Sequence, residues 1–173
     1  MASNSDLIRK FIAINNSNMD DDKRQISKKK QLMNILIPFK KLDKDAVIPT
    51  RAYKYDAGWD LTAIKKETDE YGNTVYHTGI AVQIPNGFVG LLFPRSSVCK
   101  QDQILTNCVG VIDSGYRGEI LLKFANVKSA KNEYKLFERV GQLVIFALPK
   151  VTLKEVDELM PSERGTNGYG SSN

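Results

Sequence analysis

From Leu36 onward the chain is written in short runs rich in β-branched and aromatic residues, punctuated by glycine, proline and Asx turns. No long stretch of helical period interrupts them. ILIPFKKL, GWDLTA, GIAVQI, GFVGLLF, ILTNCVGVI, GEILLKFANV and GQLVIFALPKV are the candidate strands. Short strands at this spacing predict an all-β sandwich or barrel. Pro85-Asn86-Gly87 predicts a hairpin turn between GIAVQI and GFVGLLF, and the Asp-Ser-Gly-Tyr-Arg turn at 113–117 predicts a second between ILTNCVGVI and GEILLKFANV. EVDELMPSER predicts one helical turn before the Gly/Ser-rich tail RGTNGYGSSN. The chain has 173 residues, 42% of them hydrophobic, which suits one domain with a sizeable core.

Residues 1–33 read differently. SDLIRKFIAI predicts a short amphipathic helix, capped by Ser5 or Asp6, with Leu7, Ile8, Phe11 and Ile12 on one face. NNSNMDDDKRQISKKK then reads as a charged linker or disordered segment. Residues 1–30 hold seven basic and four acidic side chains, so +3 of the net +5 lies there and only +2 remains for the rest. A core so nearly neutral, without a strip of stacking aromatics, argues against nucleic-acid binding. No apolar stretch is long enough to span a bilayer, and the N-terminus lacks the features of a secretory leader. A cytosolic protein is expected, with Cys99 and Cys108 as small buried thiols rather than a disulfide. One histidine and two cysteines cannot build a typical structural zinc site. His77, in a polar stretch, is expected at the surface, so any proton chemistry falls to carboxylates.

Four places carry chemistry. In VGVIDSGYRGEI, Asp113 ends an apolar run and opens a tight turn. An Asx turn accounts for the residue type. A catalytic reading accounts also for Gly110, which lets a ligand approach the main chain, and for Tyr116, whose ring could pack on a sugar. An ionised carboxylate there could orient and deprotonate a water. Pro94-Arg95-Ser96-Ser97 offers donors for phosphate oxygens, or is an ordinary turn with a surface arginine. Asp60 in AGWDLTA caps a strand end, or serves a Mg²⁺ that is bound mainly through nucleotide phosphates. The tail from Arg164 to Ser172 is a disordered terminus, or a lid whose backbone and hydroxyl groups wrap a triphosphate while Tyr169 stacks on a base.

Taken in order, AGWDLTA, PRSSVC, NCVGVIDSGYRGEI, ERVGQLVIF and RGTNGYGSS resemble the five motifs of the trimeric dUTPase family, over about residues 35 to 173. The resemblance implies a β jelly roll or barrel, assembled as a homotrimer with shared active sites, that hydrolyses dUTP to dUMP and pyrophosphate with Mg²⁺. It implies an N-terminal extension over 1–33, a β domain over 34–160 and a flexible lid over 161–173. By that resemblance Asp113 orients the water that attacks the α-phosphorus, and Tyr116 lies under the deoxyribose. Asn107, Gly110, Val111, Ile112 and Leu121 form the uracil pocket. Arg95, Ser96, Ser97 and Gln142 hold phosphate oxygens, with Arg139 near the phosphates or bracing that site. Asp60 bonds a metal-bound water. Arg164, Gly170 and Ser171 clamp from the lid, with Tyr169 over the base. The family usually has glycine at the places of Ser97, Phe137 and Asn173, phenylalanine at Tyr169, and alanine at Gly141.

Two other readings stay in view. A dCTP deaminase shares the fold, but the place of its general-base glutamate is held by Lys123, and Glu119 lies four residues too early. A regulatory protein on the same fold could use the basic arm of residues 1–33 to meet a protein partner. The location implied is the cytoplasm, or a host cell's cytoplasm if the protein is virus-encoded.

Overall fold

The computed structural model describes residues 35–127 and 131–168. The expected amphipathic segment and linker at 1–33, and Tyr169, Gly170 and Ser171 of the tail, lie outside the described residues. The chain separates into two units, Met1–Pro38 and Phe39–Asn173. Of the first, residues 35–38 are described, as irregular chain.

The second unit holds three antiparallel sheets among the described residues. β1 (Phe39–Lys41) pairs with β5 (Ile80–Val82). A four-stranded sheet runs in the order β2 (Trp59–Thr62), β10 (Arg139–Ala147), β6 (Phe88–Pro94), β8 (Gly110–Ile112). A second four-stranded sheet runs in the order β3 (Lys65–Thr68), β4 (Thr74–His77), β9 (Leu121–Asn126), β7 (Gln103–Leu105). A 3-10 turn, Ser96–Lys100, follows β6. This is the expected all-β, jelly-roll-like arrangement.

Period-2 patterning turns these sheets toward a common core. On β9, Leu122 and Phe124 are buried while Leu121 and Lys123 are exposed. Phe124, Tyr76 and Tyr134 meet at centroid distances of 5.7 to 6.1 Å, and Tyr76 lies edge-on to both others. Aromatic edges meeting faces add to the area that the rings bury. Leu122 seats against β10 of the other sheet, where only a glycine leaves room. A Cβ at Gly141 would collide with Leu122 Cδ2 and lie 3.1 Å from the Phe93 carbonyl oxygen. The glycine that replaces a common alanine in the fourth motif is therefore matched to this leucine.

The polar groups of this core are satisfied. The fully buried Tyr76 hydroxyl lies 2.9 Å from Gln103 Oε1 and 3.2 Å from the Tyr134 carbonyl oxygen. Gln103 Nε2 donates to Asn126 Oδ1 at 3.0 Å. Burial pushes the Tyr76 phenol up from 10.0 to about 12. A raised folded-state pKa means a contribution fully present below the unfolded value and lost as pH rises through the folded one. Stability should therefore fall between about pH 10 and about pH 12. Urea melts of wild type and Tyr76→Phe across that range check this; the variant should lose the part of the decline that this phenol causes.

Several local expectations change. Pro85 to Phe88 does form a turn, with Phe88 N–H donating to the Pro85 carbonyl at 3.2 Å and Gly87 at φ 83°. Yet it joins no hairpin, because β5 pairs with β1 while both edges of β6 are taken by β10 and β8. ILTNCVGVI is two strands in two sheets, so the segment after Ile112 crosses to the other sheet instead of closing a hairpin. ILIPFKKL contributes only its FKK as strand. EVDELMPSER forms no helix and is exposed throughout, since a few residues without a packed face cannot offset helix nucleation. Cys99 and Cys108 are free, as expected, but both are exposed rather than buried. They fall in the 3-10 turn and in the loop after β7, not on inward strand positions.

Candidate active site

The site begins where the chain changes sheets. β7 ends at Leu105, Cys108 takes a left-handed φ of 57°, and its N–H donates to the Leu105 carbonyl at 3.1 Å. β8 then forms as an edge strand whose only strand partner among the described residues is β6. Its outer row of N–H and C=O groups is free to read the edge of a planar ligand. Gly110 lies opposite Leu92, and a Cβ there would stand 3.0 Å from Leu92 Cβ and 3.3 Å from Asn107 Nδ2. Glycine is thus what brings the Asn107 amide against the main chain.

Beyond Ile112 the chain turns, and Tyr116 N–H donates to the Asp113 carbonyl at 3.1 Å. The main chain closes this turn, not the carboxylate. Among the described residues the Asp113 carboxylate makes no hydrogen bond or ion pair, which leaves it for a water or a ligand. Tyr116 folds back across Gly118, where a Cβ would lie 2.6 Å from the ring's Cζ, and its hydroxyl donates to the Glu119 carbonyl at 2.9 Å. Leu121, at the start of β9, forms part of the far wall. The resulting pocket of about 240 Å³ brings together Asn107, Gly110, Val111, Ile112, Asp113, Tyr116 and Leu121, seven of the residues singled out in the sequence. It adds Leu92 and Glu119, which the sequence reading did not place there. Sites that bury a drug-sized ligand usually enclose roughly 300–1,000 Å³, so this pocket is sized for part of such a ligand, with the remainder reaching out.

The other predicted residues form a second cluster. Asp60, 7% exposed, accepts from Arg95 Nε at 2.8 Å on one oxygen and from an Arg139 terminal nitrogen at 2.9 Å on the other. Gln142 pairs with Asp60 across β10 and β2, and its Nε2 donates to the Pro94 carbonyl at 3.3 Å. Gly58 leaves room for it: a Cβ there would lie 2.9 Å from Gln142 Cδ. Ser96 opens the 3-10 turn, and Ser97 Oγ stands 3.4 Å from the Tyr134 hydroxyl. Two guanidinium groups on one carboxylate leave a net positive corner, suited to phosphate oxygens. Arg164 is exposed and donates to the Asn167 carbonyl at 3.0 Å.

Strand register separates the two clusters. Ile112 pairs with Gly90, so Asp113 lies just beyond Gly90, while Arg95 lies five residues along β6 in the opposite direction. At ~3.3 Å per residue their Cα atoms are about 20 Å apart along the strand. One chain does not bring the two groups to one phosphate.

Asp60 is the residue on which the expected metal depends. Among the described residues no three His, Cys, Asp or Glu side chains cluster to hold a cation. Both Asp60 oxygens already accept from arginines, and the two positive charges disfavour direct ligation. A carboxylate has about four acceptor sites, so each oxygen can still accept from a water. The residues therefore fit a Mg²⁺ carried by substrate phosphates, with Asp60 in its outer shell.

His77 departs from expectation. It closes β4, its side chain is 18% exposed, and it lies between two carboxylates, 3.0 Å from Glu119 and 3.4 Å from Glu67. The polar letters around it in the sequence belong to an edge hairpin whose Asp69 anchors the turn. There Asn73 and Tyr71 donate to Asp69, and Lys123 pairs with it at 2.9 Å. Above all the Lys123 contact holds the Asp69 carboxyl well below the usual range.

Known proteins resemble this chain over most of its length. A family model described as dUTPase matches residues 44–173. A deoxyuridine 5'-triphosphate nucleotidohydrolase of Rhodococcus erythropolis is 38% identical over 142 residues, covering 80% of this chain and 87% of that protein. The dUTPase of Staphylococcus bacteriophage 80alpha, solved with dUPNHPP, superposes with a TM-score of 0.64 at 32% identity, over 80% of this chain and 98% of that one. A mutant dUTPase from phage phi11 of S. aureus, described with a coordinated structural Mg(II) ion, does so with a TM-score of 0.60 at 26% identity, over 72% and 98%.

Proposed function

This chain belongs to the dUTPase family, and on that premise we propose that it hydrolyses dUTP to dUMP and pyrophosphate at the pocket beside β8. Such a reaction limits uracil in DNA and supplies dUMP for thymidylate synthesis. The observation that carries the reading is the free Asp113 carboxylate beside an unpaired strand edge and a tyrosine ring.

In this reading the outer edge of β8 at Val111 and Ile112, with the Asn107 amide, bonds the uracil edge. A wrong base would leave those polar groups unpaired, which is the strongest form of rejection open to a binding site. Tyr116 packs under the deoxyribose and leaves no room for a 2′-hydroxyl. Asp113 accepts a proton from a water and aims it at the α-phosphorus, in line with the departing pyrophosphate oxygen. Phosphoryl chemistry of this kind needs positioning and charge stabilisation more than covalent catalysis. Arg95, Ser96, Ser97 and Gln142 bond the phosphates, and Arg139 and Asp60 hold Arg95 in place. A phosphate-borne Mg²⁺ would neutralise triphosphate charge, with Asp60 accepting from one of its waters. Residues 161–173 act as a lid, Arg164, Gly170 and Ser171 on the phosphates and Tyr169 over the base.

The separation of Asp113 from Arg95 supports a homotrimer with shared sites, Asp113 from one subunit acting on phosphates held by another's Arg95. Residues 1–33 are an extension outside the 34–160 β domain and are the segment open to a protein partner. The protein works in the cytoplasm, its own or a host's. Deamination of dCTP is disfavoured because Lys123, on the exposed face of β9, is tied to Asp69 and supplies no base.

Pyrophosphate release from dUTP, dTTP, dCTP and UTP tests the activity; turnover of dUTP alone is expected, and accumulation of dUTP from dCTP would overturn it. Subunit sharing has its own test. Asp113→Asn and Arg95→Ala are each expected to be nearly inactive. Random mixing at equal amounts by refolding should return about one quarter of wild-type activity, since a quarter of sites then combine an intact Asp113 with an intact Arg95. No recovery in mixed trimers would mean that each site lies within one chain.

A further inference from the structure

We propose that His77 is a positioning residue for sugar selection, acting through Glu119 on the ring of Tyr116. The inference rests on the reading above in which Tyr116 packs under the deoxyribose.

Glu119 is a strut with two working ends. Its carbonyl accepts the Tyr116 hydroxyl at 2.9 Å. Its carboxylate reaches to the end of β4, where Oε1 accepts from the Gly79 N–H at 2.7 Å and Oε2 lies 3.0 Å from His77 Nδ1. The following residue is stitched to the same segment: Thr78 Oγ1 donates to the Ile120 carbonyl at 2.7 Å, and Ile120 N–H donates to the Ile80 carbonyl at 2.8 Å. Gly79 holds φ 65° and has Ile64 and Ala46 against it, so this corner has no room to drift. The Tyr116 ring stands on a rigid wall, and Glu119 is the link between them.

Of the four bonds in that stitch, the one to His77 depends on the tautomer of the ring. A neutral imidazole must carry its hydrogen on Nδ1 to donate to Glu119. Nε2 then points a lone pair toward Glu67, 3.4 Å away, and is buried without a hydrogen-bond partner among the described residues.

The surrounding charges are few. On β3, Glu67 faces the ring, and Lys65, the register partner of His77, is itself paired with Glu67 at 3.0 Å. On β9 the register partner is Leu121, which is apolar, and Lys123 beyond it is tied to Asp69. Glu119 completes the set. The His77 Nδ1–H thus holds Glu119, and through it Tyr116. Its loss lets the ring tilt, which should cost discrimination against a 2′-hydroxyl more than it costs turnover of dUTP.

The measurement is kcat/KM for dUTP and for UTP with the full-length protein. His77→Ala should lower the dUTP-to-UTP ratio about tenfold, with kcat on dUTP changed far less. His77→Asn, which keeps an N–H donor near the Nδ1 position, should restore the ratio. Tyr116→Phe should lower the ratio similarly, and adding His77→Ala to it should lower it little further. An unchanged ratio in folded His77→Ala overturns the proposal. If that variant does not fold, His77→Leu, which fills the space without a donor, is read in the same way, and a folded His77→Asn whose ratio stays low overturns the proposal. A wild type that does not cleave dUTP defeats the parent reading instead, which separates the two failures.

Discussion

Asp113→Asn should lower kcat on dUTP about 10²–10⁴-fold while leaving affinity for a non-hydrolysable dUTP analogue nearly unchanged. The substitution keeps the shape of the side chain and removes only its ability to take a proton. It should disturb little else, because the turn is closed by the Asp113 carbonyl and the carboxylate bonds nothing among the described residues. Single-turnover pyrophosphate release, with titration of the imido analogue, separates the two effects. Loss of analogue binding in step with kcat would show that this carboxylate holds the nucleotide rather than activating water.

Asp60→Ala should be costly twice. Asp60 is the buried partner of two arginines, and removing one member of a buried ion pair leaves uncompensated charge worth roughly 3–5 kcal/mol when burial is complete. Here the Arg95 and Arg139 side chains are 26% and 47% exposed, so water takes up part of the loss. About 2 kcal/mol of stability should go, read as a shift of the urea midpoint at unchanged slope. The same variant frees Arg95 from its brace, and a misplaced phosphate donor should cost about 10²-fold in kcat/KM. Asp60→Asn, which can still accept from one guanidinium, should fall between. A variant of wild-type stability would mean that the arginines find other partners; one of wild-type activity would mean that Arg95 needs no brace.

The fold class was legible because strand period and turn residues are local properties of the chain. Which strands pair is not local. Pro85 to Gly87 announces a reversal, and the reversal is there, but nothing in those residues says that β6 already has partners on both edges. The same limit applies at Asp113: the turn and its residues are as expected, while the partner of β8 is β6 rather than the strand that follows. The pocket residues were accessible because they crowd into one segment, Asn107 to Leu121. Glu119 was in that segment and its role was not visible, since its carboxylate works by reaching His77 and Gly79, some 40 residues earlier in the chain. His77 was misread for the same reason: its letters are polar, and its surroundings are supplied by β3 and by residue 119. The ion pairing of Asp60 with Arg139 spans 79 residues, and only the register of β2 on β10 brings them together.

That scarcity of local pairing bears on how the chain reaches this structure. Among the described strand pairs only β3 with β4 closes over a tight turn; β2 must wait for β10, β4 for β9, and β6 for both β8 and β10. Loop-closure entropy is then spent before most contacts can repay it, and domains of this kind fold in milliseconds to seconds rather than microseconds. In a nascent chain, β2 and the Asp60 it carries stay without their sheet neighbour until the ribosome has released nearly all of residues 59–147. The arginine that completes the ion triad therefore arrives after its two partners, and the corner around Asp60 cannot take its shape before β10 has emerged.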